Sequence, residues 1–244
     1  MTEALDWDSF DAALFDLDGV ITPTAKVHMD AWAEMFTDYL SSVDAEPYTE
    51  QDYYDHLDGK PRYDGVQSLL ESRGIDLEYG SPDDPTDAET VCGLGNRKDE
   101  AFNKVLKEKG ISAYPKSVEL LDHLQQRGTG MAIVSSSKNA TAVLRAAGLL
   151  DRFPIIVDGK VAGEQDLPGK PAPDTFLFAA KELGAPIERA VVFEDAISGV
   201  KAGAAGKFGA VVGVDRGAGA DRLREAGADR VVKELDELIE KDQA

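Results

Sequence analysis

The sequence predicts an α/β protein, with a doubly wound parallel sheet flanked by helices and a separate helical segment inserted after the first strand. From residue 111 onward, short apolar runs alternate with amphipathic stretches, several of which end at a glycine. Parallel strands need crossover connections, usually helices, so this alternation is typical of a parallel sheet. Residues 24–110, by contrast, show helical patterns and no convincing strand.

The first predicted strand is Ala12–Asp16, an apolar run that ends in an acidic turn. After it, apolar residues recur every four positions from Val27 to Tyr39, which predicts one amphipathic helix. Two further helices are predicted at Arg62–Arg73 and Arg97–Lys109, and each is followed by a glycine that ends it.

The second half of the chain supplies the other elements. The predicted helices are Val118–Arg127, Asn139–Ala147, Asp174–Leu183 and Ile197–Ala205. The predicted strands are Met131–Val134, Ile155–Val157, Ala190–Phe193, Ala210–Val214 and Arg230–Val232. The sequence therefore predicts two units, an α/β core of residues 1–23 and 110–244 and an inserted helical cap of residues 24–109.

Composition narrows the class of partner. The chain has 244 residues and a formal net charge of −20, which argues against binding to nucleic acid or to anionic membranes. Its single cysteine, Cys92, excludes an intrachain disulfide. The first residues lack the basic and apolar regions of a secretion signal, and no apolar run approaches the ~20 residues of a membrane span. We expect a cytoplasmic protein that is a monomer or a weak homodimer.

A pair of acids follows the first strand. Asp16 and Asp18 are separated by one residue and precede Gly19. Residues i and i+2 of a strand point to the same side, so both carboxylates can face one pocket. One can then act as a nucleophile while the other moves a proton, provided that a cation or a shared proton relieves their repulsion. Taken alone, the pair is also compatible with a solvated strand end.

Residues 16–22, DLDGVIT, resemble the first motif of the haloacid dehalogenase superfamily of phosphotransferases. Three similar motifs follow in the expected order: an apolar strand that ends at Ser135, the lysine Lys170 before a helix, and a strand that ends in the acidic pair Glu194 and Asp195. The resemblance implies a Rossmann-like core with an inserted helical cap. It also implies phosphoryl transfer through an aspartyl phosphate.

The resemblance assigns four catalytic roles. Asp16 is expected to be the nucleophile, Asp18 the general acid and base, and Ser135 a hydrogen-bond donor to the transferring phosphoryl group. Lys170 is expected to place positive charge beside the phosphoryl oxygens.

The same resemblance implies Mg²⁺ as the cofactor, because all-oxygen ligation suits that ion. The expected ligands are Asp16, Asp18 through its backbone carbonyl, Glu194 and Asp195, with Asp195 closer to the metal than Glu194.

Further segments are similar to the β-phosphoglucomutases and their phosphatase relatives, namely residues 18–32, 96–98, 135–139 and 169–174. The similarity places substrate contacts at the following residues: His28, Gly59, Arg62, Lys98, Ser137 and Asn139. Arg62 would hold a distal phosphate with its planar fork. Alternative interpretations remain open, because His28, Arg62 and Lys98 can be solvated surface residues and Ser137 or Asn139 a plain helix N-cap.

Asp58 departs from the mutase pattern, which has a lysine before the cap glycine. An acid there would repel an anionic substrate, although Lys60 nearby can compensate.

The predicted function is β-phosphoglucomutase-like interconversion of β-glucose 1-phosphate and glucose 6-phosphate. The alternatives are a phosphatase acting on a sugar phosphate or other small phosphorylated metabolite, and a non-catalytic binding module on the same fold.

Overall fold

A six-stranded, fully parallel sheet organises residues 5–240, which are the residues that the computed structural model describes. The outermost residues of the predicted core, 1–4 and 241–244, lie outside the described part. The strands, in spatial order, are β3 (Ile155–Val157), β2 (Gly130–Val134), β1 (Ala12–Phe15), β4 (Ala190–Glu194), β5 (Ala210–Val214) and β6 (Arg230–Val232). The predicted α/β class with a doubly wound parallel sheet is thereby confirmed.

Helices cover both faces of the sheet, which explains why the central strands β1 and β4 are buried throughout and apolar at every position before Glu194. Alternate residues of each strand enter one of two separate apolar clusters. Phe15 and Phe193 from adjacent strands stack on one face with ring centroids 4.6 Å apart. Leu14 and Val192 pack into the cluster on the other face.

The helices are α1 (Thr24–Ser42), a single turn α2 (Glu50–Asp52) continued by a π-helix (Tyr53–Leu57), α3 (Arg62–Ser72), α4 (Val91–Lys109), α5 (Pro115–Arg127), α6 (Ala140–Ala146), α7 (Gly159–Glu164), α8 (Asp174–Glu182), α9 (Ile197–Ala205) and α10 (Ala220–Glu225). None of these described helices is both long and apolar enough to cross a bilayer.

The sequence-based helices need several corrections. Helix α4 begins at Val91 and not at Arg97, because the Thr90 hydroxyl accepts a hydrogen bond from the Gly93 amide at 2.9 Å and caps the helix there. The turn at Glu50 and the short helices α7 and α10 were not predicted. All three are too short to show a helical period.

The helices between β1 and β2 form their own apolar cluster. Trp32, Phe36, Leu69 and Leu94 are among its buried members. No strand is present among residues 24–109, as predicted. This third cluster lies apart from the two that flank the sheet.

Strand order creates the crevice where ligands bind in such sheets. The chain runs outward from β1 to β3 on one side and from β4 to β6 on the other, so the order reverses between β1 and β4. Ligands in open α/β sheets bind beside the carboxyl ends of strands at such a switch point. Asp16 follows β1, and its amide donates to the Phe193 carbonyl at 2.9 Å.

Candidate active site

Lys170 joins the carboxyl ends of three strands. Its amine lies 2.6 Å from Asp16 Oδ1 and 2.5 Å from Glu194 Oε1, and it donates to the Val134 carbonyl at 2.9 Å. All three side chains are buried. Burial lowers the pKa of Lys170, but the charges of Asp16 and Glu194 outweigh that effect and raise it above its usual value. The amine is therefore a fixed positive charge at the end of β1.

Three carboxylates at this place form a candidate metal centre. Asp16, Glu194 and Asp195 are buried, and one oxygen of each lies within 4.8 Å of the others. Burial raises the pKa of Asp16 well above its usual value, and it does the same for Asp195, where the charges of Asp58 and Asp16 add to it. One lysine does not neutralise this group, so the donor set fits a divalent cation.

Two glycines let the carboxylates take these positions. A Cβ on Gly19 would lie 1.8 Å from Asp195 Oδ2, and one on Gly199 would lie 1.8 Å from Glu194 Oε1. The carbonyl of Gly19 also accepts a hydrogen bond from Arg216 Nε at 3.0 Å. Sequence reasoning assigned no role to Gly199 or Arg216, because neither lies in a motif that the sequence analysis singled out. Gly199 leaves room for the Glu194 side chain, and Arg216 acts through the carbonyl of Gly19.

Asp18 is held apart from the metal cluster. Its carboxylate accepts a hydrogen bond from the Thr24 hydroxyl, lies 3.4 Å from His28 Nε2 and accepts from Ser135 Oγ at 3.4 Å. Burial raises the pKa of Asp18, but His28 and Thr24 more than offset it and lower the pKa to about 2. Asp18 is therefore ionised at neutral pH.

His28 and Lys98 form a buried pair on the cap side. Lys98 Nζ lies 2.5 Å from His28 Nδ1, and the His28 ring stacks on Phe102 with centroids 4.1 Å apart. Burial and the nearby charge of Arg62 lower the pKa of Lys98 to about 7. Burial and Lys98 likewise lower the pKa of His28, against the opposing effect of Asp18.

Arg62, on the cap side of the cavity, and Asn139, in the loop before α6, are linked through Asp99. Asp99 Oδ1 lies 2.5 Å from Arg62 Nη2 and accepts from Asn139 Nδ2 at 2.7 Å. Asn139 precedes α6, but its side chain makes no capping hydrogen bond. The Ser137 hydroxyl accepts from the Asn139 amide at 3.1 Å in the turn before the helix, so neither side chain caps α6.

Backbone contacts also fix a turn of the cap against the core. The Ser136 hydroxyl donates to the Gly59 carbonyl at 2.8 Å, and the Ser198 hydroxyl donates to the Asp58 carbonyl at 2.9 Å. Gly59 has φ of 68°, and a Cβ there would lie 2.3 Å from Ser198 Oγ. Glycine is therefore required at this close approach.

Asp58 faces the same cavity as the strand-end carboxylates. Burial and the charge of Glu194 raise the pKa of Asp58 to about 7. The amine of Lys60 donates to Ser68 at 3.0 Å, so it is engaged within the cap and not with Asp58. The cavity thus contains an extra acid whose charge the nearby lysine does not directly balance.

The structure brings most of the predicted residues to one cavity. Its walls include the following residues: Asp16, Asp18, His28, Gly59, Arg62, Lys98, Ser137 and Asp195. Ser135, Asn139, Lys170 and Glu194 connect to these through the contacts above. Sequence reasoning missed Thr24, Asp99, Ser136 and Ser198, because no local pattern distinguishes them from other surface hydroxyls and acids.

The haloacid dehalogenase-like hydrolase family model matches residues 10–207. The β-phosphoglucomutase of Mycobacterium bovis is 49% identical over 240 residues, covering 93% of this chain and 91% of that protein. The β-phosphoglucomutase of Bacillus subtilis is 34% identical, covering 93% and 91%. A crystal structure of β-phosphoglucomutase from Clostridium difficile superposes with a TM-score of 0.77 at 26% identity, covering 94% and 93%.

The chain belongs to the haloacid dehalogenase-like hydrolase family. It is an enzyme of phosphoryl transfer, and its relatives include the β-phosphoglucomutases.

Proposed function

We propose that this enzyme interconverts β-glucose 1-phosphate and glucose 6-phosphate through a phosphoenzyme and a bisphosphate intermediate. One observation carries the proposal: a single cavity has cationic groups near it on both the α/β side and the inserted helical side. Lys170 lies behind Asp16, which lines the cavity, and Arg62 lines it from α3 and is linked through Asp99 to Asn139. A bisphosphate needs both sets, whereas a hydrolase for a small monophosphate needs only the first.

Asp16 would attack phosphorus in line, and the new aspartyl phosphate would divide the transfer into two steps. Lys170, held by Asp16 and Glu194, keeps positive charge where phosphoryl oxygens would lie. Asp18 is an ionised acid within reach of the cavity, so it would take the proton from the attacking sugar hydroxyl. In the other half-reaction it would return that proton to the leaving oxygen.

Mg²⁺ fits the three buried carboxylates, and when bound it would neutralise their charge and that of the phosphoryl oxygens. We expect Asp16, Asp195 and the backbone carbonyl of Asp18 to hold it. Glu194 would lie further from the ion, because Oε1 is engaged by Lys170 and Oε2 accepts from the Ala196 amide at 3.0 Å.

Residues 24–109 would act as a cap that closes over the core and excludes water, which directs the phosphoryl group to a sugar hydroxyl. Arg62, Ser137 and Asn139 would bind the distal phosphate. Gly59, His28 and Lys98 would contact the sugar or orient Asp18.

A phosphatase is the second candidate, and Asp58 is the observation that favours it. A carboxylate beside Glu194 and Asp195 adds negative charge to a cavity that must take up an anion. That charge opposes a bisphosphate more than it opposes a single phosphate.

The test is one reaction with β-glucose 1-phosphate, Mg²⁺ and a trace of glucose 1,6-bisphosphate, in which glucose 6-phosphate and free phosphate are measured together. Rapid formation of glucose 6-phosphate with little free phosphate supports the mutase. Free phosphate without glucose 6-phosphate replaces the proposal with a phosphatase. If neither product forms and no phosphate is released from a generic aryl phosphate, the binding module becomes the better account.

Metal binding has an independent readout in thermal stability. Mg²⁺ at about one hundred times its Kd should raise the free energy of unfolding by about 2.7 kcal/mol. Asp195→Asn should remove most of this rise, because it deletes an expected ligand. Asp221→Asn, on the exposed end of α10, is the control and should keep it. An equal response in both variants would contradict the proposed ligand set.

A further inference from the structure

Asp99 occupies the place between Arg62 and Asn139 where the proposed function puts a phosphate. A single atom, Asp99 Oδ1, lies 2.5 Å from Arg62 Nη2 and 2.7 Å from Asn139 Nδ2. One donor comes from the cap and the other from the loop before α6 in the core. Two donors that converge on one anionic oxygen form the arrangement by which proteins bind phosphate.

Arg62 does not need Asp99 to hold its position. Arg62 Nη1 donates to Asn96 Oδ1 at 3.3 Å, and the Tyr63 hydroxyl donates to the same oxygen at 2.9 Å. Asn96 is fixed in turn, because its amide nitrogen donates to the carbonyls of Pro82 and Asp84 at 3.0 and 2.9 Å. The guanidinium is therefore oriented from behind, and its contact with Asp99 is on the side that faces the cavity.

The contact is also shielded from water. The side chains of Arg62 and Asp99 are 14% and 24% exposed, unlike the solvated pairs that contribute little. Asp99 cancels the charge that Arg62 would offer to an incoming anion. An anion that reaches these two side chains consequently meets an ion pair and not a free guanidinium.

We propose that Asp99 is a specificity-determining residue that competes with the distal group of the substrate for Arg62 and Asn139. The inference rests on the proposed function, which assigns those two residues to a distal phosphate. A phosphate dianion carries more charge and more acceptor oxygens than one carboxylate, so it can displace Asp99. A neutral hydroxyl or a singly charged carboxylate gains nothing by the exchange and is rejected.

The same exchange couples binding to the cap. With the distal position empty, Asp99 links α4 of the cap to Asn139 of the core. With a phosphate bound, the phosphate would make that link instead. The cap is thereby held in place in both states. A substrate that lacks the distal phosphate would break the contacts of Asp99 with Arg62 and Asn139 without replacing them, so its binding would be weaker.

Binding of inorganic phosphate, measured by calorimetry on the metal-free protein, tests the proposal. Asp99→Asn should tighten binding by about tenfold, because the competitor loses its charge. Asp38→Asn removes the same charge from an exposed position on α1 and should leave the affinity unchanged. The gain should vanish in the double variant Arg62→Ala/Asp99→Asn, which would place the phosphate at this wall.

Unchanged or weaker binding in Asp99→Asn overturns the proposal and shows that Asp99 supports Arg62. A melting curve checks that the variant is folded, and Asp99→Ser serves as a second version of the same test.

The outcome of this test can be distinguished from the outcome of the test of the proposed function. If glucose 6-phosphate is never formed but Asp99→Asn binds phosphate more tightly, the mutase proposal fails and the role of Asp99 stands. If glucose 6-phosphate is formed but binding is unchanged, the reverse holds.

Discussion

The two walls of the cavity are held in place by different forces. On the core wall, Asp16, Ser135 and Asp195 each follow a strand, so the hydrogen-bonded register of the sheet sets the spacing between them. On the cap wall, side chains reach the cavity from helices that pack around a separate apolar cluster. Their positions relative to the core depend on a small number of polar contacts. The sheet therefore fixes the relative positions of the proposed catalytic residues. The positions of the proposed substrate-binding residues depend instead on how the inserted helices pack against the α/β unit.

Lys170 illustrates the first case, since it contacts the ends of β1, β2 and β4 at once. Arg62 illustrates the second, since its link to the core passes through Asp99 and Asn139. Substitutions on the core wall should therefore affect every substrate, and substitutions on the cap wall should affect only substrates long enough to reach it.

Asp16→Asn should give the largest effect. It removes the proposed nucleophile without creating a cavity, so turnover of any phosphate ester should fall by about 10⁴-fold or more while the protein stays folded. Aryl phosphate release and a melting curve measure the two outcomes. Asp11→Asn, before the other end of β1, is the matched control. Activity near that of the unmodified enzyme would refute the assignment.

Lys170→Met should give the next largest effect, a decrease in the free energy of unfolding. It leaves Asp16 and Glu194 buried without their cation, and breaking a buried pair costs about 3–5 kcal/mol. Urea unfolding without metal measures the loss. Lys116→Met is the control, because Lys116 also contacts two carboxylates but at the surface. Similar destabilisation in both variants would show that burial does not strengthen the Lys170 contacts.

Arg62→Ala should separate the two walls. The loss of charge-assisted hydrogen bonds should lower kcat/KM for a two-phosphate substrate by about 100-fold and leave a small aryl phosphate nearly unaffected. Arg222→Ala controls for loss of a cap–core contact, because Arg222 Nη2 lies 3.5 Å from Asp55 near the surface. Equal losses on both substrates would contradict a phosphate contact confined to the cap wall.

Per pH unit, the smallest expected effect is a pH dependence from Lys98. Its folded pKa of about 7 lies below the usual 10.5, so between these values the unfolded chain binds a proton that the folded chain does not. The free energy of unfolding should therefore rise with pH over this range, by up to about 1.4 kcal/mol per pH unit. Urea unfolding at several pH values should show this slope weakened in Lys98→Met and kept in Lys104→Met, an exposed position on the same helix. Identical slopes would count against a neutral buried amine.

The comparison also explains what the sequence could predict. Short apolar runs between amphipathic stretches located all six strands, and burial on both faces gives the central strands a strong hydrophobic signal. The acids of the core wall were predicted from their positions at strand ends, whereas Lys170 was predicted only from its resemblance to a family motif before a helix. The pairing of Asp99 with Arg62 and Asn139 had no such signal, because it depends on how two separately packed units meet.

Errors in the helices have a local cause. Gly93 and Gly95 lower helix propensity near the start of α4, and they concealed its first turns. The structure requires them small, since a Cβ on Gly93 would lie 2.3 Å from the Ala88 carbonyl and one on Gly95 2.8 Å from the Tyr63 ring. Packing requirements at these positions overrode the propensity on which the sequence-based helix boundary depended.

The two serine hydroxyls that reach across to the cap bond to main-chain carbonyls, those of Asp58 and Gly59. A main-chain acceptor is the same whatever side chain the residue carries, provided that Gly59 keeps its close approach. Position 58 can therefore change between acid and base during divergence while the docking of the turn is preserved. Exchanging the residue at position 58 would alter the charge of the cavity while these two contacts stay the same.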